Sequence, residues 1–265
     1  MRNAFPTAAF PESMTQTRPR PQVLPDDRHP SRPSAPSANA RRLYLIAAVL
    51  CWAGFATVAW MVLSGRSTSL DQAGLLFWRD SDLRPIGPPR LLEAVRDVTA
   101  LGGTLLRNLF ALGAVVALVF MHMRREAALL GLTVAGGLVV NAVLKVLVGR
   151  DRPEITLHLT EAGGASFPSG HSFGSAVVYM SIALAFSMFA RRRKVRATII
   201  ASAVAVTFAV AWSRVWLGVH WPTDATAGWL GGMAWTFSAA ALLQGSADRA
   251  AHYLPEDITP EGSRG

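Results

Sequence analysis

The apolar residues of this chain are gathered in blocks long enough to cross a lipid bilayer. A helical span needs about 20 mostly apolar residues. Six stretches meet or approach that length: 43–63, 105–121, 127–148, 172–190, 198–217 and 225–243. Hydrophobic residues make up 51% of the 265 residues, whereas charged residues make up only 16%. The sequence therefore predicts an all-α integral membrane protein built as a six-helix bundle.

The two ends of the chain differ from the apolar blocks. Residues 1–40 hold eight of the sixteen prolines, with serine and arginine between them and no periodic apolar pattern. This composition is typical of a disordered segment. The first block begins only after two arginines at 41–42, which favours an uncleaved first helix over a signal peptide. We expect a disordered tail over 1–40, a transmembrane domain over 41–245 and a second tail over 246–265.

Lysine and arginine gather at alternate connections between the blocks. Basic residues precede the first block and fill the turns at 124–125 and 191–196, which a six-helix alternation places on one side of the membrane. Because basic connections stay in the cytoplasm, both termini are expected there. The connections 64–104, 149–171 and 213–224 then face the periplasm of a bacterial inner membrane. Orientation accounts for the net charge of +9, so no nucleic acid partner is expected.

The first outer connection contains an amphipathic segment. Its apolar side chains recur at near-helical spacing, whereas its charged residues lie on the other face. The apolar positions are Leu91, Leu92, Val95, Val98 and Leu101, and the charged positions are Glu93, Arg96 and Asp97. We expect an interfacial helix that roofs a lipid entrance. A surface helix packed on the bundle explains the same pattern, and both interpretations stay open.

Three polar clusters border the blocks on the predicted outer side. They are Lys145 with Arg152; Pro168, Ser169, Gly170 and His171; and Ser213, Arg214, His220 and Asp224. Charged residues are costly at membrane depth, so they indicate a functional site. Simpler explanations exist for the first two clusters, since basic side chains at helix ends snorkel to the surface and Pro-Ser begins many helices.

The second cluster is suited to an anion. A helix N-terminus offers free backbone N–H groups and the positive end of the helix dipole, and both favour a bound phosphate. Gly170 would let the anion approach the backbone closely. The imidazole of His171 could then give or take a proton beside it.

The third cluster combines a cation with a histidine and an acid. Arg214 supplies a planar fork that matches phosphate oxygens. A neutral His220 can attack phosphorus if a carboxylate holds its other ring nitrogen, and Asp224 is the nearby acid for that task. A divalent metal is the competing ligand of the two histidines and the acid. Three fixed cations close by would repel a metal and attract an anion, so phosphate is favoured.

Together the clusters resemble the type 2 phosphatidic acid phosphatase superfamily, which includes lipid phosphatases, bacterial acid phosphatases and vanadium haloperoxidases. Its signature is Lys-x6-Arg-Pro, then Pro-Ser-Gly-His, then Ser-Arg-x5-His-x3-Asp. Every fixed position is present and in order, with Pro153 following Arg152. The resemblance extends over residues 105–243 through the placement of the helices.

The resemblance implies a role for each motif residue. The phosphate would be held by Lys145, Arg152, Arg214, the Ser169 hydroxyl and the backbone N–H of Gly170. His220, oriented by Asp224, would attack in line and form a phosphohistidine. His171 would protonate the leaving oxygen and then activate the water that cleaves the intermediate. The family requires no metal or other cofactor.

We therefore expect a membrane lipid phosphatase that acts on a lipid monophosphate or diphosphate at the outer face. The candidate substrates are undecaprenyl diphosphate, phosphatidylglycerophosphate, phosphatidic acid and lipid A 1-phosphate, which the motifs do not rank because they contact only phosphate. Two alternatives stay open. The same site could transfer the phosphoryl group to another lipid, or a non-catalytic bundle could bind or transport an anionic lipid. The second alternative needs the cations alone and leaves the histidines unexplained.

Overall fold

The computed structural model describes residues 38–252, with side chains over 39–242, and this part of the chain forms eight helices. They are α1 (Ala38–Leu63), α2 (Thr68–Leu76), α3 (Pro89–Ala100), α4 (Thr104–Phe120), α5 (Arg124–Val148), α6 (Gly170–Ser187), α7 (Arg193–Trp216) and α8 (Pro222–His252). The described residues contain no strand, only an isolated bridge between Arg79 and Pro85. The all-α prediction is confirmed.

The two predicted tails lie mostly outside the described residues. Of the first tail, 1–40, only the last three residues are described, and they belong to α1. The second tail was expected from residue 246, but α8 continues to His252. Residues 253–265 lie outside the described range.

Length and apolar composition qualify three helices as membrane spans, namely α1, α5 and α7. The pair α3 and α4 passes the same test together, although it bends by 46° at residues 101–103. The described residues therefore contain three spans by this measure, or four if the bent pair is one broken span. The count of six spans stays a prediction.

The helices α6 and α8 form the centre of the bundle, and neither qualifies as a span by length and composition among the described residues. α6 contacts α4, α5, α7 and α8, and α8 also contacts α1. Eleven of the 18 residues in α6 are buried, four of them serines. A helix covered by neighbouring helices can carry small and polar residues, because these pack against protein instead of lipid.

Glycines bring the backbones of α6 and α8 close together. A Cβ atom added to Gly228 would lie 2.6 Å from the carbonyl oxygen of Ser169, and one added to Gly232 would lie 2.5 Å from that of Phe173. Only a residue without a side chain allows this approach. The beginnings of the two helices are held together as a result, and the backbone N–H of Ser169 donates to the Asp224 carbonyl at 3.0 Å.

The amphipathic segment forms α3, with the predicted faces. Val95 is buried and packs against Trp216 and Leu217 at the end of α7, whereas Glu93 and Asp97 are exposed. The helix and the direction of its apolar face are confirmed. Its placement at a membrane interface stays a prediction.

Candidate active site

The three predicted motifs meet at one end of the bundle, which we call the motif end. Lys145 and Arg214 lie in the last turns of α5 and α7. The Pro-Ser-Gly-His motif leads into α6, and Asp224 lies in the first turn of α8. His220 stands in the loop between α7 and α8 and is 1% exposed. Motifs far apart in the sequence are thus brought together, as their common predicted side requires.

Local sequence features place the helix ends that carry the motifs. Gly149 ends α5 in the left-handed conformation with φ of 59°, and Gly218 follows α7 with φ of 79°. The Ser169 side chain caps α6 by accepting a hydrogen bond from the Ser172 N–H at 3.5 Å. Pro222 begins α8, a position where its missing N–H costs nothing. These breaks leave polar residues in the loops at the motif end.

His220 is connected to Asp224 through Ser166. The Ser166 Oγ lies 3.2 Å from His220 Nδ1 and donates to Asp224 Oδ2. The direct distance between His220 Nδ1 and Asp224 Oδ2 is 3.6 Å. Asp224 therefore stands beside the imidazole as predicted, but the serine hydroxyl bridges the two side chains.

The other ring nitrogen of His220 faces a cation. Arg152 Nη1 lies 3.1 Å from His220 Nε2. Because a guanidinium can only donate, we assign Nε2 as the acceptor and place the proton on Nδ1. Burial lowers the pKa of His220 to about 4, with Arg152 and Arg214 lowering it further and Asp224 opposing them. The imidazole is therefore neutral at neutral pH, with its lone pair on Nε2.

The three predicted phosphate-binding cations are held by neutral oxygens. Arg152 donates to three backbone carbonyls, including that of Val219 at 2.7 Å. Lys145 donates to a backbone carbonyl of the α5–α6 loop. Arg214 donates to the Thr99 hydroxyl at 3.0 Å, and its buried Nε has no hydrogen-bond partner within the described residues. Positive charge at the motif end is thus available to an anion.

The N-terminus of α6 lies beside Asn141 and Lys145 of α5. A Cβ atom added to Gly170 would be in van der Waals contact with both, 3.4 Å from the Asn141 amide nitrogen and 3.6 Å from Lys145 Cε. His171 follows it and lies beside the α3–α4 bend, where a Cβ atom on Gly102 would be 3.3 Å from its Cδ2. The free N–H groups of α6, a lysine and an imidazole therefore share one region.

Three residues around Asp224 carry no predicted role. Arg150 Nη1 donates to Asp224 Oδ1 at 2.7 Å, and Arg150 Nη2 donates to Asp71 at 2.6 Å. Arg150 and Ser166 stand two residues before the motif positions Arg152 and Pro168. Their closeness to the motifs in sequence could have identified them as candidate site residues. Asp71 lies in the first outer connection, and no feature of the sequence separates it from the other acids there.

A buried arginine in α4 also escaped the sequence analysis. Arg107 is 5% exposed, and its Nη1 lies 3.4 Å from the Gly170 carbonyl oxygen. Its guanidinium covers Gly174, where a Cβ atom would be 2.0 Å from Nη1. The cost of an arginine within an apolar block is the signal that could have identified it.

Comparisons with known proteins agree with the motifs. The PAP2 superfamily matches residues 126–247. The chain is 36% identical over 149 residues to phosphatidylglycerophosphatase B of Bacillus subtilis strain 168, covering 54% of this chain and 70% of the relative. It is 30% identical over 105 residues to an undecaprenyl-diphosphatase of the same strain, covering 38% of this chain and 49% of the relative.

The fold is similar to that of a solved membrane protein. The crystal structure of a transmembrane PAP2 type phosphatidylglycerolphosphate phosphatase from Bacillus subtilis superposes with a TM-score of 0.59 at 24% identity. The superposition covers 83% of this chain and 98% of that chain. With its apolar helices and these relatives, the protein is a multi-pass membrane protein. The match to phosphatidylglycerophosphatase B and the superfamily match over the three motifs show that the chain belongs to the PAP2 superfamily.

Proposed function

We propose that the protein is a lipid phosphatase that releases phosphate through a phosphohistidine formed on His220. The observation that carries the proposal is the buried, neutral imidazole of His220 between Arg152 and Ser166. A nucleophilic histidine needs a lone pair on one ring nitrogen and the other nitrogen held in place. Here Nε2 keeps its lone pair, which accepts from Arg152 until phosphate binds, and Nδ1 is held beside Ser166. The relatives are a phosphatidylglycerophosphatase and an undecaprenyl-diphosphatase, which supports a lipid phosphate substrate.

Phosphate binding falls to the cations around His220. In the proposal, Lys145, Arg152 and Arg214 hold the phosphate oxygens together with the backbone N–H of Gly170. Ser169 also takes part, because its oxygen accepts the capping hydrogen bonds while its own hydroxyl proton stays available to a phosphate oxygen. Fixed positive groups in a buried site stabilise the charge that develops during phosphoryl transfer, so no metal is required.

The reaction proceeds in two steps. His220 Nε2 attacks phosphorus while the bond to the lipid oxygen breaks, and protonated His171 gives its proton to that oxygen. Burial and the neighbouring cations lower the pKa of His171 to about 3 without substrate, so His171 takes up this proton when the phosphate anion binds beside it. Arg152 releases Nε2 in this step and turns its N–H groups to the phosphate. Neutral His171 then takes a proton from water, which attacks phosphorus, and the bond to His220 breaks to release inorganic phosphate. Asp224 and Ser166 stabilise the charge that the His220 ring acquires.

The proposed setting is the periplasmic face of a bacterial inner membrane, with both termini in the cytoplasm. Phosphatidylglycerophosphate and undecaprenyl diphosphate lead the substrate candidates because of the relatives, while phosphatidic acid and lipid A 1-phosphate complete the panel. Phosphoryl transfer to a second lipid is an alternative use of the same residues. A bundle that only binds or transports an anionic lipid would not need the Ser166–His220 contact.

The test measures release of inorganic phosphate from those four lipids in detergent, with EDTA present. We expect turnover by the unmodified protein without added metal and none above background by His220→Ala. The control is His122→Asn, at an exposed turn position between α4 and α5 with φ of 59°, which asparagine tolerates.

Three outcomes would contradict the proposal or part of it. Undiminished turnover by His220→Ala excludes the phosphohistidine. Strict dependence on a divalent cation excludes the metal-free site. Appearance of labelled phosphate on a second lipid, with none released into water, establishes the transferase in place of the phosphatase.

A further inference from the structure

A buried carboxylate from the first outer connection reaches the start of α8. Asp71 lies in α2 and is 1% exposed. Its Oδ2 accepts hydrogen bonds from Arg150 Nη2 at 2.6 Å and from Thr223 Oγ1 at 2.8 Å. Its Oδ1 accepts one from the backbone N–H of Thr223 at 2.9 Å. Both carboxylate oxygens of Asp71 therefore accept hydrogen bonds from Arg150 and Thr223, which lie close in sequence to the motif residues Arg152 and Asp224.

The contact with Thr223 fixes the backbone that carries Asp224. Thr223 is the second residue of α8, where a backbone N–H has no acceptor within its own helix. Asp71 supplies that acceptor from α2, and its negative charge suits the positive end of the α8 dipole. The first turn of α8 is thus anchored to the first outer connection.

The contact with Arg150 fixes the Asp224 side chain. Arg150 Nη1 donates to Asp224 Oδ1 at 2.7 Å, while Nη2 is held by Asp71. A planar guanidinium with both ends engaged cannot turn without breaking a charged hydrogen bond. With Oδ1 occupied, Asp224 presents Oδ2 to Ser166 and to the Trp221 backbone N–H at 3.0 Å. That oxygen is the one beside His220.

The charges of the three side chains depend on one another. The side chains of Asp71 and Asp224 are 1% and 0% exposed, and that of Arg150 is 17% exposed. Without Arg150, two buried negative charges would face each other, and without Asp71 the arginine would lose one of its two anchors. Buried charged groups of this kind are strongly coupled, and removing one leaves another uncompensated.

We propose that Asp71 and Arg150 are positioning residues that hold Asp224, and through Ser166 hold His220, in the orientation for attack. This inference rests on the proposed phosphohistidine reaction. The side chains of Asp71 and Arg150 hydrogen-bond to each other and to residues 67 and 223–224, and not to the three phosphate-binding cations. Their loss should therefore slow the chemical step without weakening the binding of phosphate.

The first experiment replaces Asp71 with the isosteric amide. In Asp71→Asn, kcat should fall by about 100-fold, the scale expected when a reacting group is misplaced by a distant change. KM for the lipid and inhibition by inorganic phosphate should stay close to those of the unmodified protein. The matched control is Asp82→Asn, an exposed acid in the same connection, which should leave all three quantities unchanged. A wild-type kcat in Asp71→Asn would overturn the inference.

A double-mutant cycle tests whether the two residues act as one unit. Arg150→Gln alone should lower kcat at least as far as Asp71→Asn. The double variant should lose no more than the larger of the two single losses, because the second change finds the contact already broken. If the loss in the double variant equals the product of the two single losses, the residues act independently and the inference is overturned.

A second readout does not depend on activity. Asp71→Ala should speed hydrogen exchange of the α8 first turn at Thr223, and Asp82→Asn should not. Unchanged exchange would overturn the anchoring role. If Asp71→Asn does not fold, Thr223→Ala takes its place, because it removes only the hydroxyl contacts. This variant should still lower kcat, and a wild-type kcat would overturn the inference.

The two proposals fail in different ways. If His220→Ala keeps its turnover, the proposed function fails, while the exchange experiment still decides the contact between Asp71 and Thr223. If His220→Ala is inactive and Asp71→Asn keeps a wild-type kcat, only the positioning inference fails.

Discussion

The side chains around the His220 imidazole come from three separate regions of the sequence. Arg152 and Ser166 come from the loop after α5, Asp224 comes from α8, and Arg214 adds positive charge from α7. A serine hydroxyl can accept from one group while donating to another, so Ser166 can relay the orientation of the carboxylate to the ring. We therefore expect Ser166 to contribute to turnover, although it belongs to none of the three motifs.

Replacing Ser166 with alanine tests this relay. The change leaves His220 Nδ1 without its nearest acceptor, and an unsatisfied buried polar group costs about 1–3 kcal/mol. If this cost falls on the chemical step, kcat should drop by about 5- to 160-fold, less than in His220→Ala. Phosphate release from the best lipid of the panel provides the measurement.

The control for Ser166→Ala is Ser181→Ala. Ser181 is also a buried serine, but its hydroxyl has no hydrogen-bond partner within the described residues. Its removal should not lower turnover. Equal losses in both variants would mean that Ser166 acts only by filling space.

At the level of single residues, sequence reasoning predicted the motif positions but missed most of their supports. Asp224 was predicted beside His220, since both belong to one short stretch. Asp71 is separated from Thr223 by 152 positions, so no local spacing indicates the contact. Arg107 was different, because its charge within an apolar helix was visible and could have been used.

Among the elements, the contact of α6 with α8 matters most for the site. Gly228 lies against the Ser169 carbonyl, at the turn that presents the Pro-Ser-Gly-His motif. The start of α8 therefore supports the N-terminus of α6 directly. Any side chain at residue 228 must push the two motifs apart.

The variant Gly228→Ala should reduce both stability and turnover. Its Cβ would meet a backbone oxygen at 2.6 Å, which cannot move as a flexible side chain can. Overpacking of this kind costs about 1–3 kcal/mol. The thermal unfolding midpoint in detergent and the rate of phosphate release should both fall.

Gly113→Ala is the matched control for Gly228→Ala. Gly113 is exposed on α4, and a Cβ atom there would meet nothing within 4 Å. Alanine favours a helix over glycine by about 1 kcal/mol, so stability should stay equal or rise. A stable, active Gly228→Ala variant would show that the α6–α8 contact tolerates separation.

The sequence predicts where a helix forms and which face is buried better than it predicts which helices that face packs against. The spacing of apolar residues predicted α3 and its buried face, because periodicity depends only on local geometry. The neighbours of that face, at the end of α7, could not be predicted from spacing. The test of length and composition does not select α6 as a span, although α6 lies at the centre of the bundle, because serines stand among its buried apolar residues.

For the whole molecule, the arrangement of charge predicts an orientation in the membrane. The motif end carries the proposed site, while the opposite end carries the basic residues at the starts of α5 and α7. Basic turns stay in the cytoplasm, so the motif end should face the periplasm.

Reporter fusions test this orientation. A fusion after Arg196 should be active only as a cytoplasmic reporter, and one near Glu161 only as a periplasmic reporter, because α6 separates the two positions. A fusion after Arg125 should match the first. Reporters on the same side at Arg196 and Glu161 would refute the six-span topology.

The contact between Asp71 and Arg150 also limits how segments of PAP2 superfamily proteins can be exchanged. The superfamily match begins at residue 126, yet Asp71 lies before it and bonds to residues within it. A chimera joined at that boundary would combine one protein's α2 with another protein's α8. Asp71 would then face residues of the second protein in place of Arg150 and Thr223. The smallest segment that can be exchanged intact therefore begins before α2, well upstream of the recognisable motifs.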